Sequence, residues 1–172
     1  SDNKRRQYHV LGQIHYLQSN FAKSLEYNQK ALAMSEEAGE KSESAWTLNL
    51  MALTSRMMGD LNKSMEYVER ALSISESLDH KDLTVNVSMT AGLLHHTLQN
   101  RTNALEFYQR ALIVAEELKN RTLIAYAQQN IGRVLFSEGK FAEAMGSFQK
   151  SLRLNEAIGS KRHLFYTIDA IG

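Results

Sequence analysis

Apolar residues along this chain recur at intervals of three and four, the spacing that lines one face of an α-helix. Between residues 122 and 137 the stripe is Leu123, Ala127, Ile131, Val134 and Leu135. Between 141 and 158 it is Phe141, Ala144, Met145, Phe148, Leu152 and Leu154. The short polar turn Gly139-Lys140 separates the two stretches. The same couplet recurs three times upstream. The first helix of each pair, helix A, is predicted over 4–18, 43–58, 83–98 and 122–137, and the second, helix B, over 21–38, 61–78, 102–118 and 141–158. The other turns are Ser19-Asn20, Gly59-Asp60 and Gln99-Asn100. Connections this short make neighbouring helices antiparallel.

The couplets are copies of one unit. Gly12, Gly92 and Gly132 share a register spaced by 40 residues, with Ala52 in the remaining slot, and Leu32, Leu72, Leu112 and Leu152 share another. No insertion is needed to hold the alignment. Units of about 4–40, 41–80, 81–120 and 121–160 follow, with a fifth begun over 161–172, where Gly172 preceded by Ile171 repeats the Ile131-Gly132 pair. A fixed period of this size marks a solenoid, in which no unit buries its apolar stripe alone and stacking does so. Glycine inside a helix costs about 1 kcal/mol relative to alanine. Its place here is explained if another helix approaches closely. The expected partners are the small residues Ser24, Ser64, Ala104 and Ala144 of helix B, with Tyr108 and Phe148 wedged beyond them.

These residues resemble the tetratricopeptide repeat. Tyr8, Leu11-Gly12, His15, Ser24 and Ala31 fill its signature slots in the first unit. Gln128, Ile131-Gly132, Leu135, Gly139, Ala144, Phe148 and Ser151 fill them in the fourth. The resemblance covers nearly the whole chain. It departs in two ways: the period is 40 where the common form has about 34, and Glu36, Glu76, Glu116 and Glu156 stand where a proline usually ends helix B. The longer unit is similar to the branch found in scaffold proteins, kinesin light chains and bacterial peptide-sensing regulators. The fold so implied is all-α: a right-handed superhelical solenoid of antiparallel helix hairpins, four complete repeats plus the first helix of a fifth, forming a single repeat domain over 1–172 that belongs to a longer protein.

Composition narrows the function. The chain is 43% hydrophobic and 23% charged, with a net charge of +1 and neither cysteine nor proline. That balance offers no overall attraction to nucleic acid, and the lack of cysteine excludes disulfide and thiol chemistry. No apolar run is long enough for a membrane span. A chain without proline can be helical almost throughout. The localisation expected is cytoplasmic.

Catalysis finds no support. His9, His15, His80, His95, His96 and His163 include no pair four residues apart and no HExxH pattern. Neighbouring His95 and His96 point about 100° apart on a helix. The pairs Glu36-Glu37 and Glu116-Glu117 lie in polar ends of helix B. The chain is read as a non-enzyme without cofactor or metal.

Charge is unevenly placed. The acids at the A helices are Glu43, which opens the second, and Asp82, which immediately precedes the third, both at N-terminal ends where the helix dipole favours them. The resemblance implies that A helices line a concave surface. The inward slots are then Arg6, His9, Gln13 and Tyr16 in the first unit and Trp46, Asn49, Leu53 and Arg56 in the second. The third supplies Asn86, Met89, Leu93 and His96, and the fourth Tyr126, Gln129, Asn130, Arg133 and Phe136. Arginine pairs with carboxylates in a fork, amides hold a peptide backbone, and aromatics supply contact area. The expectation is a module binding a protein or peptide, with preference for acidic segments. Two readings stand beside it: a ligand-sensing regulatory domain, and self-association through the apolar terminal helix 163–172.

Overall fold

The computed structural model describes residues 2–159. The predicted start of a fifth repeat, and with it the self-association expected of 163–172, lies outside these residues. Among them are eight helices and no strand: α1 Asp2–Leu17, α2 Phe21–Glu37, α3 Lys41–Met57, α4 Leu61–Leu78, α5 Lys81–Thr97, α6 Arg101–Glu117, α7 Arg121–Ser137 and α8 Phe141–Ile158. Each bound falls within two residues of the one predicted.

The turns explain why every helix stops where it does. Residues 19, 39, 59, 79, 99, 119, 139 and 159 all have positive φ, one left-handed residue every 20 positions. Glycine fills four of these slots; Ser19, Asp79, Gln99 and Lys119 fill the others. The next residue then caps the following helix. Asn20, Asp60, Asn100 and Asn120 each accept a hydrogen bond from the backbone N–H three residues on, satisfying a donor the helix itself leaves free.

The chain divides into two compact units, Ser1–Thr90 and Ala91–Gly172, the division falling inside α5. In the first unit, contacts step backward along α1 as they step forward along α2. Tyr16 meets Phe21, Gly12 meets Ser24, and Tyr8 meets Tyr27. This is the antiparallel hairpin predicted. α3 packs on α2, and α4 on α3. Leu48, Met51, Ala52, Val68 and Ala71 are at most 1% exposed and form its core. In the second unit α7 packs on both α6 and α8, around Tyr108, Ala111, Ala127, Val134 and Phe148. Each large apolar side chain so buried contributes about 1.5–3 kcal/mol.

The partner expected for the mid-helix glycine is corrected. The space above it is filled not by the small residue of helix B but by the side chain four positions later. A Cβ on Gly92 would stand 2.7 Å from the Tyr108 ring, and one on Gly132 2.8 Å from the Phe148 ring. On Gly12 it would strike the Asn28 carboxamide. The small residue, where it is serine, ties the two helices together instead. Ser24 Oγ donates to the Gly12 carbonyl at 2.9 Å, and Ser64 Oγ to that of Ala52 at 2.8 Å.

Candidate functional site

In the first unit α1 and α3 bring Arg6, His9 and Trp46 together. With Arg5, Val10, Glu43 and Thr47 they line a cleft of about 250 Å³. His9 is half-buried within it. Its Nε2 lies 3.0 Å from the Gln13 amide nitrogen and its Nδ1 3.3 Å from the Thr47 hydroxyl. With the amide donating, Nε2 accepts and Nδ1–H is left to donate to Thr47, a neutral tautomer. Burial, foremost, holds the imidazole below its ordinary pKa; Glu43 acts against this and Arg5 with it.

Arg6 is exposed and pairs with Asp2 at 3.2 Å. Asp2 opens α1 two residues before the predicted start, so the first A helix does carry an acid. Its carboxyl is held below the usual range, chiefly by a hydrogen bond from Arg5. Arg5 is absent from the predicted slots. It is only 7% exposed and pairs with Glu40 at 2.8 Å as well as with Asp2. The signal that identifies it is the repeat register: Arg5 occupies the slot of Ala45, Val85 and Ala125, all at most 1% exposed.

Further along the A helices the predicted residues separate by depth. Asn49 and Met89 are buried, at 8% and 6% exposure, whereas Gln13 is exposed and Tyr16, Leu53, Arg56 and Asn86 are intermediate. The Asn86 amide is spent on its own helix, donating to the Asp82 carbonyl at 2.8 Å. Asn49 Oδ1 and Arg56 Nε, seven residues apart on one face of α3, are both shut from solvent and find no hydrogen-bond partner among the described residues. Among the described residues Arg56 reaches the sulfur of Met57, at 3.3 Å. Buried polar atoms ordinarily find partners, so this stretch of α3 holds unused capacity.

In the second unit Gln129 and Asn130 are buried, and Asn130 donates to the Tyr126 carbonyl at 2.9 Å. Tyr126, Arg133 and Phe136 project to solvent, while Leu93 and His96 are half-buried. Arg133 has no acidic partner among the described residues. Its charge, with that of Arg101, adds to burial in holding His96 below the ordinary imidazole range. Among the described residues no three His, Asp or Glu side chains gather to hold a metal ion, and no helix is long and apolar enough to cross a membrane.

A family model described as tetratricopeptide repeat matches residues 7–77 and 83–157. No curated protein matches the sequence. Among solved structures, BtubC from P. vanneervenii is 20% identical with a TM-score of 0.79; the match covers 92% of this chain and 65% of that one. Aspartyl phosphate phosphatase F from Bacillus subtilis is 16% identical with a TM-score of 0.90, covering 98% and 44%. A Rap protein complexed with competence and sporulation factor is 21% identical with a TM-score of 0.86, covering 98% and 47%. The chain thus spans less than two thirds of each of these proteins, and at such identities the likeness is one of fold.

Proposed function

Because this chain belongs to the tetratricopeptide repeat family, we propose that it is a non-catalytic module that binds a protein or peptide segment through the side chains of its A helices, with preference for segments carrying Asp or Glu. The observation that carries this reading is the state of Arg56 and Arg133. Neither has a carboxylate partner among the described residues, although acids are plentiful on the B helices. A guanidinium left without its partner regains hydrogen bonds when a ligand carboxylate arrives, and the bidentate fork makes that contact directional. Tyr126 and Phe136 stand on the same helix as Arg133, at 40% and 55% exposure, and supply apolar area around it.

The test is a peptide array of acidic, neutral and basic segments probed with the full chain, then with Arg56→Glu and Arg133→Glu. Acidic segments are expected to be retained selectively and to be lost on either charge reversal. Unchanged retention in both variants removes the reading. A regulatory sensor is the second reading, favoured by the likeness to a Rap protein solved with competence and sporulation factor. It predicts the same binding, together with an altered activity in whatever domain is attached.

A further inference from the structure

In the second unit α6, α7 and α8 enclose a cleft of about 350 Å³ lined by Glu116, Ile124, Gln128, Lys150, Arg153 and Leu154. None of the six belongs to the predicted inward slots. Helical spacing gathers them: Ile124 and Gln128 are four residues apart on α7, and Lys150, Arg153 and Leu154 share one face of α8. Gln128 is only 8% exposed, yet its carboxamide makes no hydrogen bond among the described residues. Nor is that carboxamide shut from solvent, as the unpartnered Oδ1 of Asn155 is; it opens on the cleft. Buried polar groups ordinarily find partners, so this amide is placed for one that the fold does not supply. Lys150 and Arg153 have no carboxylate partner among the described residues either. Arg153 spends its Nε on the Gln149 carbonyl of its own helix, at 3.4 Å, which leaves its terminal nitrogens for a ligand.

The equivalent cleft of the first unit, two repeats upstream, differs in each of these respects. Ser44 and Ser73 line it in the slots of Ile124 and Arg153. Glu36, in the slot of Glu116, is paired with Arg70 at 2.6 Å, and the slot of Gln128 belongs to Leu48, which is fully buried. Acid and base there neutralise one another, and no amide opens on the space. In the second unit Lys150 takes the Arg70 slot without pairing with Glu116, and Arg153 adds a second cation. The open polar groups therefore come from the residues of this one cleft and not from the repeat.

We propose that this cleft binds a free α-amino acid with an apolar side chain. The ligand carboxylate lies on Lys150 and Arg153, where the hydrogen bonds are charge-assisted. The ligand ammonium donates to Glu116 and to the carboxamide oxygen of Gln128. The side chain covers Ile124 and Leu154. Apolar walls with a few convergent polar groups are the usual make-up of a small-molecule site, and the volume is that of a small one. Inorganic phosphate suits the cleft less, because Glu116 repels a dianion and the apolar walls stay wet. A carboxylate that lacks the ammonium leaves Glu116 without a partner. The site is separate from the A-helix surface invoked for peptide binding, so either reading can fail alone.

The probe is L-leucine, titrated into the full chain and followed by calorimetry and by saturation-transfer NMR of the ligand. Saturable binding is expected. Leucine amide, 4-methylpentanoate and glycine lack in turn the carboxylate, the ammonium and the side chain, and each is expected to bind about tenfold or more weakly. Lys150→Gln and Arg153→Gln are expected to weaken leucine binding about tenfold as well, the worth of a hydrogen bond to a charged group. Both positions are exposed, and unchanged circular dichroism verifies the fold. Gln128→Leu restores the residue of the first unit's slot and is expected to fold while losing affinity. Arg56→Glu, in the other unit, is expected to leave leucine binding unchanged while it abolishes retention of acidic peptides. The proposal is overturned if leucine does not bind saturably, or if 4-methylpentanoate or inorganic phosphate binds as tightly as leucine. It is overturned equally if Arg153→Gln and Lys150→Gln bind leucine as the unsubstituted chain does.

Discussion

The Phe148 ring lies so close over Gly132 that a methyl group there would come within 2.8 Å of it. The same pair of positions, 16 residues apart, recurs in every repeat. It reads Gly12 with Asn28, Ala52 with Val68, Gly92 with Tyr108, and Gly132 with Phe148. Glycine accompanies the two aromatic rings and the Asn28 carboxamide, whose atoms reach over it, and alanine accompanies the compact Val68. Gly132→Ala gains up to about 1 kcal/mol of helix propensity but overpacks a core, which costs about 1–3 kcal/mol. The expected net effect is a lowered urea midpoint. Phe148→Val alone opens a cavity and also destabilises. Together the two substitutions rebuild the Ala52–Val68 arrangement, so the double variant is expected to be more stable than the sum of the single losses. Strict additivity would show that the two sites do not share space.

Gly139 tests backbone conformation without packing. It has φ of 77°, and nothing lies within 4 Å of a Cβ placed on it. Gly139→Ala is therefore expected to lose about 1–2 kcal/mol through left-handed strain alone. Lys119 and Gln99 occupy equivalent slots with side chains, at φ of 54° and 61°. Replacing either with glycine is expected to raise the melting temperature, by the equivalent of up to about 1 kcal/mol. A lower melting temperature would mean that these side chains contribute more than their strained backbone costs.

Ser64 is fully buried, and its hydroxyl donates to the Ala52 carbonyl across the hairpin. Alanine already fills this slot at positions 104 and 144 without disturbing the hairpin. Ser64→Ala is thus expected to leave no cavity and to cost about 1 kcal/mol, the net worth of one hydrogen bond. The denaturant midpoint measures it, and a loss several times larger would point to a wider polar network in which the hydroxyl participates.

The helices were legible because two periods reinforced one another: the apolar stripe marks each helix, and the 40-residue register aligns the copies. Side-chain partners were less legible. Phe148 rather than Ala144 covers Gly132 because side chains on a helix lean toward its N-terminus, so the residue one turn later fills the space. Arg5 reads as surface by charge but as core by register, and its ion pairs with Asp2 and Glu40 reconcile the two. Of the inward slots, Arg6, His9 and Trp46 do share a cleft. Asn49, Met89, Gln129 and Asn130 turn out buried, since their positions fall toward the flank of helix A that packs on a neighbour. The turns at Ser19 and Gln99 were legible from the repeat, but the left-handed backbone of these two residues and of Lys119 was not, because their residue types carry no signal for it.

His9 makes stability depend on pH in a definite direction. Burial lowers its folded pKa below the ordinary 6.5, outweighing the opposing pull of Glu43. The unfolded chain, whose imidazole titrates near 6.5, therefore takes up a proton before the folded chain does. Its contribution to stability is full above that value and is lost as pH falls through the folded pKa. Protonation would also place an N–H at Nε2 against the Gln13 amide nitrogen, at 3.0 Å, so the contact holds only with the amide turned. His96 is shifted in the same direction by burial and by Arg133 and Arg101, and adds to the slope from the other unit. Urea midpoints measured from about pH 7.5 down to about pH 5.5 are expected to fall less steeply in His9→Gln than in the unsubstituted chain, and less steeply still in His9→Gln with His96→Gln. Identical slopes in all three would show that neither imidazole is held neutral by the fold.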